Sequence, residues 1–321
     1  MKIYDSVYSE STSYAFKITL FTSFFRRLAL KVMSSIFYNF FFRQFASALF
    51  PGKIPVSKVD HELDEKIPFK PEWMKIYLDF TQFWIRVITF FTRRYGKPSY
   101  MPIKQFILSI GRLYVYAAEV YTKNLSTTKR PFYIKTPRFL VIHLIDPHLM
   151  CIPSLHVMIA VQTYTQFKAL AKKIDSEENL KHQIEEMKQG ALAITQAVLF
   201  VKQHSVNCIP AALYAMTCFS PELFTREEAE NFVSLLYSEP PDFPAYKNKK
   251  SKTFVQVDKT RVPGRFTVHP AASPLTEISK EDQDKIKNHI LMLYNRFVSE
   301  REPSRPWYEP LVKFLGEYGK N

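Results

Sequence analysis

With 321 residues, 46% hydrophobic and 15% aromatic, the chain can bury one large core, or a core with an extension. It has seven glycines and no GxGxxG or GxxxxGKS/T run, which excludes Gly-rich phosphate loops; a phosphate here must be gripped by side chains. The net charge of +14 calls for an anionic partner, and nucleic acid is not expected, since zinc-finger spacing, an RNP-like strand and a basic zipper are all missing.

Taken in chain order, the first apolar stretch is Tyr14–Phe50, where Phe and Leu are mixed with Lys17, Arg26, Arg27, Lys31 and Arg43. That mixture suits a basic helix lying on anionic lipid, and equally a helix packed on the protein's own core. Residues 51–72 form a polar, Pro-containing connection. Apolar residues spaced at three and four, with few glycines, predict helices over 14–49, 73–94, 101–122, 154–173, 182–203 and 208–219. The charged run KKIDSEENLKHQIEEMKQ joins the fourth and fifth helices and extends both.

Past Ser220, Thr225 and Glu228 make a capping box that opens a short helix through Leu236. A Pro- and Lys-rich loop follows, then strand-like pieces at Thr253–Val257 and Arg265–Val268 that could pair as a hairpin. Ser279 caps a last helix with Ile286, Ile290, Leu293 and Phe297 on one stripe. The fold class expected is all-α, a bundle of about six helices with a mixed C-terminal extension. The division expected is 1–72 as a basic and aromatic N-terminal helix with its connection, 73–220 as the helical core, and 221–321 as the extension.

Two stretches without Asp, Glu, Lys or Arg, Pro147 to Phe167 and Gln203 to Pro221, reach transmembrane length, about 20 residues. Both carry His, Ser, Gln or Asn, while the neighbouring segments hold Asp79, Arg86, Arg112 and Glu119, which are costly in lipid. The mean hydropathy of −0.16 is low for a polytopic protein. Membrane association is expected, with spanning or peripheral placement left open. The opening residues lack a basic region followed by an apolar core, so no secretory signal is expected. The three cysteines, Cys151, Cys208 and Cys218, form no disulfide framework, and a reducing setting is the default.

Three short motifs carry candidate chemistry. Lys123 is followed, after six residues, by Arg130-Pro131; Pro153-Ser154-Leu155-His156 opens the fourth helix; Lys202-Gln203-His204 closes the fifth. If those two helices form an antiparallel hairpin, the motifs meet at one end of the bundle. Arg130 offers a planar fork, Lys123 a point charge and Ser154 a hydroxyl to a phosphate, and the fourth helix adds its N-terminal dipole. Each residue has a plainer role available: His156 and His204 as interior histidines, Lys123 and Arg130 as solvated charges near a helix end, Ser154 as a helix N-cap. Cys151, His156, His204 and Cys208 include a His-x3-Cys pair that puts two ligands on one helical face, but Cys151 and His156 lie five apart across a Pro, a poor ligand spacing, and no metal is expected.

Over roughly residues 100–220 these motifs resemble the three signatures of the type 2 phosphatidic acid phosphatase and vanadium haloperoxidase superfamily, KxxxxxxRP, PSxH and SRxxxxxHxxxD. The resemblance implies a phosphatase core in which His204 attacks phosphorus to form a phosphohistidine and His156 protonates the leaving oxygen. Lys123, Arg130, Ser154 and Lys202 would bind the phosphate, and no cofactor is needed. A phosphorylated lipid or other phosphomonoester is the implied substrate. A headgroup phosphotransferase of the sphingolipid-synthase type, whose relatives share similar PSLH and Lys-Gln-His patterns, is the first alternative. Haloperoxidase chemistry is the least expected. The third motif departs from the pattern: Cys208 stands where an Asp should orient the nucleophile, and Ala197-Val198 replace the Ser-Arg pair. Lys202 can replace the Arg charge, and Asn207 or Asp146 are candidates to reach Nδ1 of His204. Loss of an orienting carboxylate can cost orders of magnitude in turnover while leaving binding intact, so a degenerate phosphate- or lipid-binding membrane protein is a further alternative.

Overall fold

The computed structural model describes residues 6–238 and 277–318, and these are mostly helical. The N-terminal stretch read from sequence as one helix is broken into α1 (Thr12–Phe21), α2 (Ser23–Ile36), a π-helical turn over Phe37–Phe42, and α3 (Arg43–Leu49). The break is local. Thr22 is extended, at φ −113° and ψ 116°, and its N–H still donates to the Ile18 carbonyl. Phe25, Leu28, Val32 and Ile36 make the buried stripe of α2, and full burial of each such side chain is worth about 2 kcal/mol.

The next segment supplies a short strand, β1 (Val56–Lys58), then α4 (Met74–Leu78), α5 (Phe80–Tyr95) and α6 (Tyr100–Tyr121). Helix α2 lies closely on α6: a Cβ built on Gly111 would sit 3.2 Å from Val32 Cγ2. A second strand, β2 (Leu125–Thr127), pairs in parallel with β1, and Ser126 bridges onward to Met150. After it comes α7 (Pro137–Ile145), which the sequence reading did not include. The expected hairpin follows: α8 (Leu155–Ile174), the link Asp175–Leu180, and α9 (Lys181–Phe200). Most of the charged run is thus absorbed into the ends of the two helices. The chain then forms α10 (Cys208–Phe219), α11 (Arg226–Ser234) behind the Thr225/Glu228 capping box, α12 (Lys280–Ser299) and α13 (Glu309–Tyr318).

One buried cluster runs from Val7 to Leu315, across both boundaries suggested by composition. Ile286, Ile290, Leu293 and Phe297 are buried on α12, which packs against α10. Trp307 stacks on Tyr116 with centroids 3.9 Å apart and donates from Nε1 to Glu119 Oε2 at 2.8 Å. The hydroxyl of Ser57 donates to the Leu315 carbonyl at 2.7 Å. The strand-like pieces expected at 253–257 and 265–268 lie outside the described residues. Among the described residues no helix is long and apolar enough to cross a membrane. The stretch from Pro147 is non-helical up to Ser154, and that from Gln203 is a loop followed by the 12-residue α10.

Candidate active site

Helices α8 and α9 run antiparallel, so the start of one and the end of the other share an end of the bundle. Ser154 occupies the N-cap position of α8 with extended φ and ψ, although its side chain makes no capping bond. Its hydroxyl is instead 3.3 Å from Nε2 of His204, four residues past the end of α9. His156, in the first turn of α8, has its ring centroid 5.6 Å from that of His204.

The loop that carries His204 is shaped by the connection before α4. Asp64, in a 3-10 turn over Glu62–Lys66, accepts the Val206 N–H on Oδ1 at 2.8 Å and the His61 N–H on Oδ2 at 2.8 Å. Burial pushes the Asp64 carboxyl up, and hydrogen bonds from Ser205, Val206 and His61 pull it back. Lys202, with φ at +54°, donates its ammonium to the Asp64 carbonyl oxygen. The ammonium expected on phosphate is therefore already used in fastening the loop. Lys123 is exposed and joins the cluster through no hydrogen bond or ion pair among the described residues.

Arg130 does stand beside the histidines. It donates to Gln203 Oε1 and to the Asp146 carbonyl, each at 3.2 Å, and lies 3.8 Å from Asp146 Oδ2. Asp146 also accepts the His148 N–H on Oδ1 at 2.9 Å, and its Oδ2 is 3.9 Å from His148 Nδ1. Burial alone would raise the Asp146 carboxyl, but His148 and Arg130 hold it down at about 2. His148 was not among the residues singled out by sequence. It is buried at φ +61°, with Nε2 2.8 Å from Thr128 Oγ1 and its ring 6.4 Å from that of His204. A histidine outside any helical stripe, between Pro147 and Leu149, was its only signal. Asp64 was better marked, by a His61-x-x-Asp64 capping pattern.

The electrostatics favour neutral rings. Burial pushes His204 well below the ordinary histidine value, and the neighbouring His156 and His148 add to the depression. Burial lowers His156 to about 4, with Tyr77 stacked on one side at 4.2 Å and Phe80 at the same distance. No acceptor is aligned with Nδ1 of His204, although the Cys151 carbonyl is near enough to raise the ring's basicity slightly. Both candidates to replace the missing carboxylate are engaged elsewhere. Asn207 donates to Val59 O and the Tyr318 hydroxyl and faces His289 at 2.8 Å, while Asp146 serves His148 and Arg130. Cys208 is fully buried, and burial raises its thiol well above the ordinary value.

The arrangement thus offers an oxyanion a guanidinium, a hydroxyl and two imidazoles that can accept protons. Among the described residues no group of three or more His, Cys, Asp or Glu side chains is set to hold a metal ion. Comparison with protein families, curated proteins and solved structures finds no match to this chain.

Proposed function

We propose that the chain is a relative of the type 2 phosphatidic acid phosphatases, acting on a phosphomonoester, with a lipid phosphate as the natural class of substrate. The observation that carries this reading is the meeting of His204, His156 and Ser154 at one end of the α8–α9 hairpin, with Arg130 alongside. Nε2 of His204 attacks phosphorus while the bond to the leaving oxygen breaks, and that oxygen takes a proton from His156. Water then attacks the phosphohistidine, gives its proton to His156 and releases phosphate. A sugar or lipid hydroxyl in place of water makes the same site a headgroup phosphotransferase. Arg130 and the Ser154 hydroxyl balance the charge of the phosphoryl oxygens.

His156, at about 4, is neutral near pH 7 in the free protein. A bound dianion raises its basicity, so substrate binding itself loads the acid. A second reading, oxyanion binding without turnover, is favoured by one observation: Nδ1 of His204 has no aligned acceptor, only the Cys151 carbonyl nearby, so the tautomer that frees Nε2 is weakly held.

The test is turnover of a generic phosphomonoester and of phosphatidic acid by the purified chain, beside His204→Ala and Cys208→Asp, with vanadate binding read on all three. Turnover lost in His204→Ala supports the enzyme. Turnover seen only in Cys208→Asp supports a site disabled by one substitution. Vanadate binding without turnover in any of them supports the binding protein, and no binding at all defeats both readings.

A further inference from the structure

From Ser11 to Val59 the chain contains no Asp or Glu, yet Lys17, Arg26, Arg27, Lys31, Arg43 and Lys53 fall within it. In a folded protein such a stretch ordinarily turns its apolar side inward. Here α2 does so on one side only. Its Phe25–Ile36 stripe is buried against the core, while a second apolar set stays outside, with Phe21 81% and Leu49 74% exposed. Part of the outer set is contiguous: Phe16, Leu20, Leu30 and Met33 border one shallow depression of about 390 Å³, with Arg26 among its lining residues.

Farther along the same stretch, a cavity of about 510 Å³ lies between α3 and the segment that leads to the histidines. Tyr38, Phe42 and Phe50 line it from one side, and Pro147, Leu149 and Met150 from the other. Two cations stand at its aromatic wall: Arg43 is 5.2 Å from the Tyr38 ring centroid and Lys53 4.9 Å from that of Phe50. Nε of Arg43 is buried without an acceptor. In the chain, α7 ends two residues before Pro147 of this lining, and it too lies in an acid-free span, Val120–Ile145, with Leu144 70% exposed and Phe132 85% exposed just ahead of it.

We infer that the face of α1 to α3 seats the protein on an anionic bilayer, lying in the plane of the membrane, and that an acyl chain of that bilayer enters the cavity. Three properties choose this occupant. Exposed aromatic and aliphatic side chains alternating with Lys and Arg match the boundary between headgroups and acyl chains. The absence of acids suits phosphate-bearing lipid, and it opposes a second copy of the chain, because a two-fold contact would set cation on cation. The helices are also short: at about 1.5 Å per residue, α2 is about 21 Å long, against about 30 Å of hydrocarbon. The cavity backs onto Pro147–Met150, where His148 turns the opposite way toward Thr128 and His204. A membrane-seated chain therefore holds its histidine cluster one backbone segment from the lipid.

The test is flotation of the purified full chain with vesicles of phosphatidylcholine alone and of phosphatidylcholine mixed with phosphatidylserine. Binding to the mixed vesicles is expected, falling at least about 100-fold in Arg26→Glu/Arg27→Glu/Lys31→Glu, since loss of each cation alone is worth roughly fivefold. Phe21→Asp/Leu30→Asp/Phe37→Asp is expected to abolish flotation on both vesicles. All six positions are exposed, so the thermal transition should stay in place, and that is measured alongside. Phe50→Trp reports on the cavity: its fluorescence should be quenched by brominated acyl chains beyond the quenching of the parent. Flotation unchanged by the charge reversals, or no added quenching at position 50, overturns the inference. So does a concentration-dependent dimer that the Asp triple variant dissociates, with no flotation of the parent. His204→Ala is expected to float like the parent, so failure here and failure of the phosphoryl-transfer reading are told apart.

Discussion

Two buried polar clusters occupy this helical core, and they are built to opposite rules. Around α5, Arg86 forks onto both oxygens of Asp79 at 2.7 and 2.8 Å and reaches Gln82 at 3.2 Å. Close by, Glu186 accepts the Ser6 hydroxyl and the N–H groups of Val7 and Tyr8. The charged groups of this cluster are saturated, and it clamps the N-terminal segment across α9, where a Cβ on Gly190 would lie 2.0 Å from the Tyr8 oxygen. The histidine cluster is more open and unsaturated: Nδ1 of His204 has no aligned hydrogen bond, and His156, only partly buried, takes part in none among the described residues. Buried polar groups are normally paired, so an unpaired ring nitrogen on His204 is the exception that calls for an explanation.

The comparison can be broken first at its saturated side. Asp79→Ala, which strands a buried guanidinium, is expected to cost about 3–5 kcal/mol in urea unfolding. Asp79→Leu with Arg86→Leu should restore most of that loss; a pair of single-variant costs that simply add would refute the clamp. At the unsaturated side, His204→Ala should cost less than half as much stability. Arg130→Ala should weaken vanadate binding about 10–100-fold, with Arg130→Lys in between, as read by calorimetry.

A pH series sharpens the contrast. Burial raises Glu186 to about 7 from an ordinary 4.5. The folded protein therefore holds a proton that the unfolded chain gives up, and this group's contribution to stability declines as pH rises from about 4.5 to about 7. His156 works in the opposite sense: its value is lowered, so stability from it grows as pH rises through its window, from about 4 to the ordinary 6.5. The parent's net slope mixes the two, but Glu186→Gln removes only the first. Its melting temperature relative to the parent should climb between pH 4.5 and 7, and a flat difference would count against the assignment. The smallest effect is expected from Lys123→Ala: vanadate affinity unchanged, and stability within about 0.5 kcal/mol.

Much of the core was legible because helix periodicity is a local signal. The stripe Ile286, Ile290, Leu293, Phe297, the Thr225/Glu228 box and the α8–α9 hairpin all follow from spacing and capping alone. Helix α7 was missed because Pro137–Ile145 is short and apolar on nearly every side, so it has no period to read. The break at Thr22 was missed because nothing but a β-branched residue marks it. At the site, the positions of Ser154, His156 and His204 were readable from the motifs, and Arg130 from its pairing with Pro131. The engagement of Lys202 with Asp64, and the roles of His148 and Asn207, depend on segments far apart in the chain, and no local pattern encodes such meetings.

That long-range wiring has a consequence for how the protein is made. The little clasp of β1, β2 and Met150 joins three distant segments, Ser57 beside it waits for Leu315, and Asn207, three residues from His204, waits for Tyr318. Translation at about 5–20 residues per second leaves roughly 6–23 s between the addition of His204 and that of Tyr318. The α8–α9 hairpin, built from local contacts, can form early in that interval. The loop that follows His204 can make its last hydrogen bonds, from Asn207 to His289 and Tyr318, only after α12 and α13 leave the ribosome, so a nascent chain acquires its helical scaffold well before that loop is fully tied down.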